Sequence, residues 1–173
     1  MNIQSHLGSL LESGRSIIIT GSRGGGKSTY AQQLVSRYPD AAGGVLSRRC
    51  AEGYALVHIP TGKECLYCAS SSKQLQDGTA SFSHGRFWFS PRAFGWGLQV
   101  IDQDIASGKR MILIDEIGPV ELQDRGFYDR IRPDQRKEDI AYLLVIRDQL
   151  LDQVCSLFHL DDFYIHTVRK TYE

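Results

Sequence analysis

Short apolar runs alternate along the chain with longer stretches in which apolar residues recur at helical spacing. Uninterrupted runs of β-branched and aliphatic residues are typical of parallel strands, which are buried on both faces. The runs that predict such strands are 16–20 (SIIIT), 111–115 (MILID) and 141–146 (AYLLVI), and shorter runs at 43–49 and 162–168 predict two more. The stretches that predict helices are 27–38, 90–108 and 148–158. This alternation predicts an α/β fold, with a mostly parallel central sheet and helices on both of its faces.

One segment departs from the alternation and predicts an antiparallel hairpin. Residues 54–59 and 64–69 flank the tetrapeptide PTGK, whose glycine at the third position is typical of a turn. The polar segment 70–86 then predicts an exposed loop. We therefore expect a single domain over residues 1–173, three layers thick, in which residues 54–89 form a hairpin and loop insertion.

The helix predicted at 90–108 carries signals at both ends. Ser90 is the expected N-cap, and Pro91 occupies the first helical position. Gly108 is the expected glycine after the last turn.

Composition excludes several classes of protein. The 173 residues include 20 Lys and Arg against 20 Asp and Glu, so no overall field attracts nucleic acid or a membrane surface. No apolar run is long enough to cross a bilayer as a helix, and the N-terminus does not resemble a secretory signal. We expect a cytoplasmic protein whose four cysteines are reduced thiols, with no membrane association and no nucleic-acid partner. The sequence leaves protein partners open.

A glycine-rich loop, GSRGGGKST at 21–29, joins the first predicted strand to the first predicted helix. The spacing Gly21-x-x-x-x-Gly26-Lys27-Ser28 fits the P-loop template in the structural context that template requires. Glycines let backbone N–H groups approach phosphate oxygens, and the start of the following helix favours an anion. Lys27 is expected to bridge the β- and γ-phosphates. The predicted nucleotide-binding residues are Gly21, Ser22, Arg23, Gly24, Gly25, Gly26, Lys27, Ser28 and Thr29, with Arg23 contributing its backbone.

Two consecutive acids end the strand predicted at 111–115. Asp115 is expected to share a magnesium ion with the Ser28 hydroxyl, since a carboxylate beside a P-loop serine is a magnesium ligand in proteins of this kind. Glu116 is then placed to orient or deprotonate an attacking water. This pair of acids favours hydrolysis over phosphoryl transfer, because a kinase must exclude water rather than activate it.

The segments IIITGSRGGGKST, GGVLSRR and LIDEIGPVEL, at their spacing in this chain, resemble the THEP-type nucleoside-triphosphatase family of P-loop proteins. The resemblance covers about residues 16–170. Its most specific part is DEIG-x-x-EL, matched here by Gly118, Glu121 and Leu122. It implies a P-loop NTPase fold in which one strand separates the Asp115 strand from the P-loop strand. It also implies a magnesium-dependent enzyme that splits ATP, GTP and other nucleoside triphosphates into diphosphate and phosphate.

For several residues the sequence allows both a functional and a purely structural role. Arg48 is our candidate for an arginine finger in cis, although a solvated strand end explains it as well. Arg147 follows the strand at 141–146, where it can sense the γ-phosphate or form a surface salt bridge. The aromatic run at 87–89, with Phe94 and Trp96, favours core packing over base stacking. For Cys65-x-x-Cys68, packing is favoured over a zinc site because a second pair is absent from the sequence.

Two alternatives to hydrolysis also remain open. One is a nucleoside or nucleotide kinase, with an acceptor pocket built by residues 54–96 and a lid at 130–139. The other is a nucleotide-dependent switch module in which hydrolysis acts as a timer.

Overall fold

The computed structural model describes residues 3–76 and 80–169. Within these ranges nine strands form one sheet. The strands are β1 Ile17–Gly21, β2 Ala42–Arg49, β3 Gly53–His58, β4 Glu64–Ala69, β5 Phe82–His84, β6 Phe87–Phe89, β7 Met111–Ile117, β8 Ala141–Arg147 and β9 Tyr164–Thr167. The helices are α1 Ile3–Glu12, α2 Lys27–Val35, α3 Pro91–Ala106, α4 Tyr128–Ile131 and α5 Leu151–Phe158.

The strand order is β5-β6-β4-β3-β2-β7-β8-β1-β9. The five strands from β2 to β9 in this order pair in parallel, whereas β3, β4, β6 and β5 pair antiparallel. The predicted hairpin is thus confirmed, and it extends the same sheet because β3 pairs along the edge of β2. The sheet is therefore parallel on one side and antiparallel on the other.

Helices cover both faces of the sheet, as predicted. In β1, Ile17 and Ile19 pack in the core cluster that includes α1 and α2, whereas Ile18 packs in the cluster that includes α3 and α5. All three side chains are fully buried. Burial on both faces explains why the central strands are continuous apolar runs rather than alternating ones.

Helix α3 begins at the predicted N-cap, and a side chain of its last turn links two strands of the sheet. Ser90 Oγ accepts a hydrogen bond from the Ala93 N–H at 2.9 Å, with Pro91 at the first helical position. Near the other end, buried Asp104 accepts a hydrogen bond from the Gly44 N–H at 2.7 Å and contacts His58 Nε2 at 3.1 Å. One carboxylate of α3 therefore bridges β2 and β3.

The segment predicted as an exposed loop, 70–86, contains more structure than expected. A turn of 3-10 helix spans Ser72–Gln74, and β5 pairs with β6 to prolong the sheet. Residues 77–79 of this segment lie outside the described residues. Among the described residues, no helix is both long and apolar enough to cross a membrane.

Candidate nucleotide-binding site

The glycine-rich loop connects β1 to α2, and its geometry depends on glycine. Gly24 and Gly26 have φ angles of +68° and +87°, a region that side chains with a Cβ rarely adopt. Gly26 is the N-cap of α2, so the helix begins at Lys27. The Lys27 side chain is buried, and its Nζ donates a hydrogen bond to the Ser22 carbonyl oxygen at 2.8 Å. The lysine thus lies folded back along its own loop.

The carboxyl ends of the parallel strands meet the loop at one edge of the sheet. Ligands of open α/β sheets bind at this edge. In the register of β1 and β8, Gly21 pairs with Arg147, and in the register of β7 and β8, Asp115 pairs with Val145. Strand β8 lies between β7 and β1, which confirms the expected strand order.

Asp115 is fully buried at the tip of β7. Its Oδ2 accepts a hydrogen bond from the Ser47 N–H at 3.2 Å, and its carboxyl is hydrogen-bonded to the Ser28 side chain. Burial raises the pKa of this carboxyl to about 7; the Ser28 hydrogen bond opposes that shift and the negative charge of Glu116 adds to it. Its Oδ1 has no hydrogen-bond partner among the described residues.

These features fit a hard cation. A buried carboxylate with an unpaired oxygen, next to a serine hydroxyl, supplies the oxygen ligands that such ions prefer. Residues 3–76 and 80–169 contain no group of three or more His, Cys, Asp and Glu side chains able to hold a metal. The groups at this site that could hold a cation are the Asp115 carboxylate and the Ser28 hydroxyl.

Glu116 lies at an irregularity in the pairing of β7 with β8. Asp115 pairs with Val145 and Ile117 with Ile146, so Glu116 has no opposite residue in β8. Its carboxylate forms an ion pair with the Arg147 guanidinium, and the two side chains are 23% and 39% exposed. The acid next to Asp115 is therefore accessible and is held in place by an arginine at the tip of β8.

The loop after β7 is held by a second buried acid. Glu121 accepts hydrogen bonds from the Gly118 N–H at 2.8 Å and the Phe127 N–H at 3.0 Å. Burial raises its pKa to about 7, and these two hydrogen bonds oppose the shift. Glu121 of the DEIG-x-x-EL motif thus links the start and the end of the loop that follows β7.

Glu116 and Arg147 also form part of the wall of a cavity of about 150 Å³. Five aromatic side chains provide much of the remaining lining, and we call this space the aromatic cavity: Tyr54, Tyr67, Phe87, Phe89 and Phe94. Tyr67 Oη lies 2.8 Å from Ser47 Oγ, and burial raises the pKa of Tyr67 well above its ordinary value. The tyrosine hydroxyl therefore stays protonated next to the strand tip that contacts Asp115.

The structure brings together most of the residues predicted for the site. Ser28 and Asp115 are in contact, Glu116 is adjacent, and exposed Arg23 reaches the wall of the aromatic cavity. Arg48 lies elsewhere: it forms an ion pair with Glu64 of β4, and its strand neighbour Ser47 points to the cavity. Since neighbouring side chains of a strand leave opposite faces, Arg48 does not share a face with Ser47. Its role as an arginine finger stays a prediction.

Sequence reasoning missed three contributors to the site. These are Ser47, Tyr54 and Tyr67, which come from β2, β3 and β4. No local motif marks them, because each reaches the site only through strand pairing. For Phe89 and Phe94 the structure supports the predicted core packing, and together with Phe87 they line the cavity, so base stacking stays a prediction. Cys65 and Cys68 are free thiols on β4.

A glycine-rich loop between a buried strand and a helix, facing an acidic strand tip two strands away, defines a P-loop nucleotide-binding protein. The sequence model of the NTPase family matches residues 16–171. The chain therefore belongs to this NTPase family, as its resemblance to THEP-type proteins indicated. The crystal structure of THEP1 from the hyperthermophile Aquifex aeolicus has the same fold, with a TM-score of 0.68 and 22% identity. The match covers 89% of this chain and 90% of that one. No curated protein sequence matches the chain significantly.

Proposed function

We propose that this protein hydrolyses ATP, GTP and other nucleoside triphosphates to diphosphate and phosphate, with magnesium. The observation that carries the proposal is the pair of acids at the tip of β7. Buried Asp115 contacts Ser28 of the P-loop, while the next residue, Glu116, is accessible. The Asp115 carboxylate is thus available to bind a cation, and the Glu116 carboxylate is available to activate the attacking water.

The P-loop holds the triphosphate through backbone N–H groups of residues 21–28 and the start of α2. Lys27 Nζ, which donates to the Ser22 carbonyl oxygen at 2.8 Å in the structure, exchanges this acceptor for phosphate oxygens when the triphosphate binds. Magnesium would be held by the Ser28 hydroxyl and by Asp115, whose unpaired Oδ1 supports this assignment. The chemistry supplied by the bound ion is neutralisation of charge on the β- and γ-phosphates.

Glu116 orients the attacking water and takes up its proton. Arg147 holds the Glu116 carboxylate in position and lies at the tip of the strand next to β1. A guanidinium at this strand tip would lie near the γ-phosphate and would stabilise the charge of the transition state. Most of the rate gain then comes from positioning and charge neutralisation rather than from covalent chemistry.

The contacts of the 130–139 segment bear on the kinase alternative. Arg130 forms an ion pair with Asp102 of α3, and Arg136 donates hydrogen bonds to the carbonyl oxygens of Phe158 and His159. These contacts tie the segment to α3 and to the end of α5, which argues against a lid that closes over phosphates.

The first experiment measures phosphate release from ATP, GTP, CTP and UTP with magnesium. We expect the wild-type protein to release phosphate from several of them, and Lys27→Ala to abolish release. Lys63→Ala, at an exposed position on the β3–β4 turn, is the matched control and should behave as wild type. Tight nucleotide binding without phosphate release would refute hydrolysis and favour the kinase or switch alternatives.

The second experiment separates binding from chemistry with Glu116→Gln. We expect triphosphate affinity within a few-fold of wild type and turnover lower by about 100-fold or more, the usual scale for loss of a general base. Glu138→Gln, at an exposed position, is the control. Equal losses of affinity and turnover would make Glu116 a structural or metal-binding residue and contradict the assigned role.

A further inference from the structure

The aromatic cavity lies at the end of the site where the γ-phosphate is expected, a placement that rests on the proposed function. Its wall includes Glu116 and Arg147, whereas Lys27 and Ser28 do not line it. The base of a nucleoside triphosphate is attached at the other end of the phosphate chain. The cavity is therefore separate from the space in which that base would lie.

The shape of the cavity suits one planar ring. Tyr54 and Phe87 are half-buried and meet edge to face, with ring centroids 6.1 Å apart. Phe94 stacks near Phe89 and meets Tyr67 edge to face, so aromatic rings form one side of the cavity, while Glu116 and Arg147 lie in another part of its wall. A volume of about 150 Å³ is large enough for one benzene-sized ring. Aromatic side chains bind ligand rings by stacking regardless of base identity.

A second depression of about 230 Å³ adjoins the aromatic cavity and shares Arg23, Tyr54 and Phe87 with it. Arg49 and Arg86 also line it, and Glu52 is the one carboxylate among the described residues of its lining. We call Arg23, Arg49 and Arg86 the arginine cluster. Arg86 stacks over the Phe87 ring at 5.0 Å from its centroid. Within the described residues, no ion pair to a carboxylate involves these three arginines.

Among the described residues that line this depression, three guanidinium groups and one carboxylate leave an excess of two positive charges. Guanidinium groups are well suited to phosphate, because their N–H donors match its oxygens in pairs. A ligand that fills both depressions would therefore combine a planar aromatic ring with a doubly charged phosphate.

We infer that the aromatic cavity and the arginine cluster form a second ligand site for a nucleoside monophosphate, next to the γ-phosphate end of the bound triphosphate. The ring occupies the aromatic cavity, and the phosphate contacts the arginine cluster. Because Arg23 belongs to the P-loop and lines both depressions, the second ligand touches the loop that holds the triphosphate. The two ligands thus bind side by side rather than in competition.

The test measures binding of CMP, UMP, AMP and GMP by calorimetry, with and without saturating magnesium and a non-hydrolysable triphosphate analogue. We expect CMP, whose base is a single ring, to bind with a Kd below about 1 mM in the presence of the analogue. Cytidine without phosphate and inorganic phosphate alone serve as probes for the two halves of the site. Each should bind at least about tenfold more weakly than CMP.

Two variants test the two halves of the site. Tyr54→Ala is expected to weaken monophosphate binding at least about fivefold, the scale of one stacking contact. Arg86→Ala, at an exposed position, should weaken CMP but leave cytidine unchanged. Arg15→Ala, an exposed arginine outside both depressions, is the matched control and should bind as wild type.

Three results would overturn the inference. They are no monophosphate binding at about 10 mM, displacement of the monophosphate by the analogue, and wild-type affinity in both variants. The same preparations are assayed for phosphate release. Release without monophosphate binding refutes the second site and leaves hydrolysis intact, whereas a protein that binds no triphosphate analogue refutes the proposed function itself.

Discussion

Asp115→Asn is expected to stabilise the protein in the absence of nucleotide and magnesium, and the gain is expected to grow as the pH rises. The carboxyl of Asp115 is fully buried, with one oxygen unpaired among the described residues. Its pKa is raised to about 7, mainly by burial. In the unfolded chain the same group has its ordinary pKa of about 3.9. Between these two values the folded state binds more protons than the unfolded state, so raising the pH favours unfolding.

The size of the effect follows from the two pKa values. One pKa unit corresponds to about 1.4 kcal/mol, so ionisation of Asp115 costs the folded state about 1.5 kcal/mol near pH 5 and about 4 kcal/mol near pH 8. Above about pH 7 both states are ionised and the cost levels off. Asparagine does not ionise, and its side-chain oxygen can still accept the Ser47 N–H. The gap in the free energy of unfolding between variant and wild type should therefore widen by about 2.5 kcal/mol over this range.

The assay is urea unfolding of both proteins at several pH values from about 5 to 8, with a chelator and without nucleotide. Glu121 also has a pKa raised to about 7, but it is present in both proteins and cancels from the difference. Asp161→Asn, at an exposed position, is the control and should show no widening gap. If the difference in the free energy of unfolding stays constant or narrows as the pH rises, ionisation of Asp115 does not destabilise the folded state, and this explanation is refuted.

Two further predictions concern the scaffold and the arginines. Asp104→Ala removes the acceptor for the Gly44 N–H and the partner of His58. The free energy of unfolding should therefore fall by about 2–5 kcal/mol in the same urea assay. Phosphate release per folded molecule should stay unchanged. Unchanged stability would mean that the bridge between α3 and the sheet is dispensable. Arg147→Ala should lower kcat at least about tenfold with triphosphate affinity within a few-fold, and Arg48→Ala should lower it less, because Arg48 pairs with Glu64 away from the cavity. The reverse order in a phosphate-release assay would assign the arginine finger to Arg48.

Several features of the fold could be predicted because their causes are local. The strands at 16–20, 111–115 and 141–146 are central and buried on both faces, so their sequences are apolar except at the ends of the first two. The start of α3 depends on the adjacent residues Ser90 and Pro91. Local signals failed where an element is too short to show a period. Strands β5 and β6 have three residues each, and pairing with each other and with β4 holds them in place.

The candidate site also has parts that the sequence could predict and parts that it could not. The P-loop and the acids at 115 and 116 were predicted because each is a contiguous motif whose residues act together wherever the segment lies. The contact between Glu116 and Arg147 could not be predicted, because it arises only when β8 inserts between β7 and β1. Arg48 and Arg147 both lie near the carboxyl end of a strand and have the same side chain, and only the structure shows that Arg147 is the one that pairs with Glu116.

What the sequence determined by itself is the phosphate-binding loop, the acidic strand tip and the layered α/β framework, since each depends on neighbouring residues or on uniform burial. What only the tertiary structure decided is the surroundings of Glu116 and Arg147 at the edge of the sheet. The aromatic cavity draws Tyr54, Tyr67 and Phe87 from three different strands. Pairing of β3, β4 and β6 in one sheet brings these side chains together, and pairing over such distances in sequence leaves no signal in any single segment.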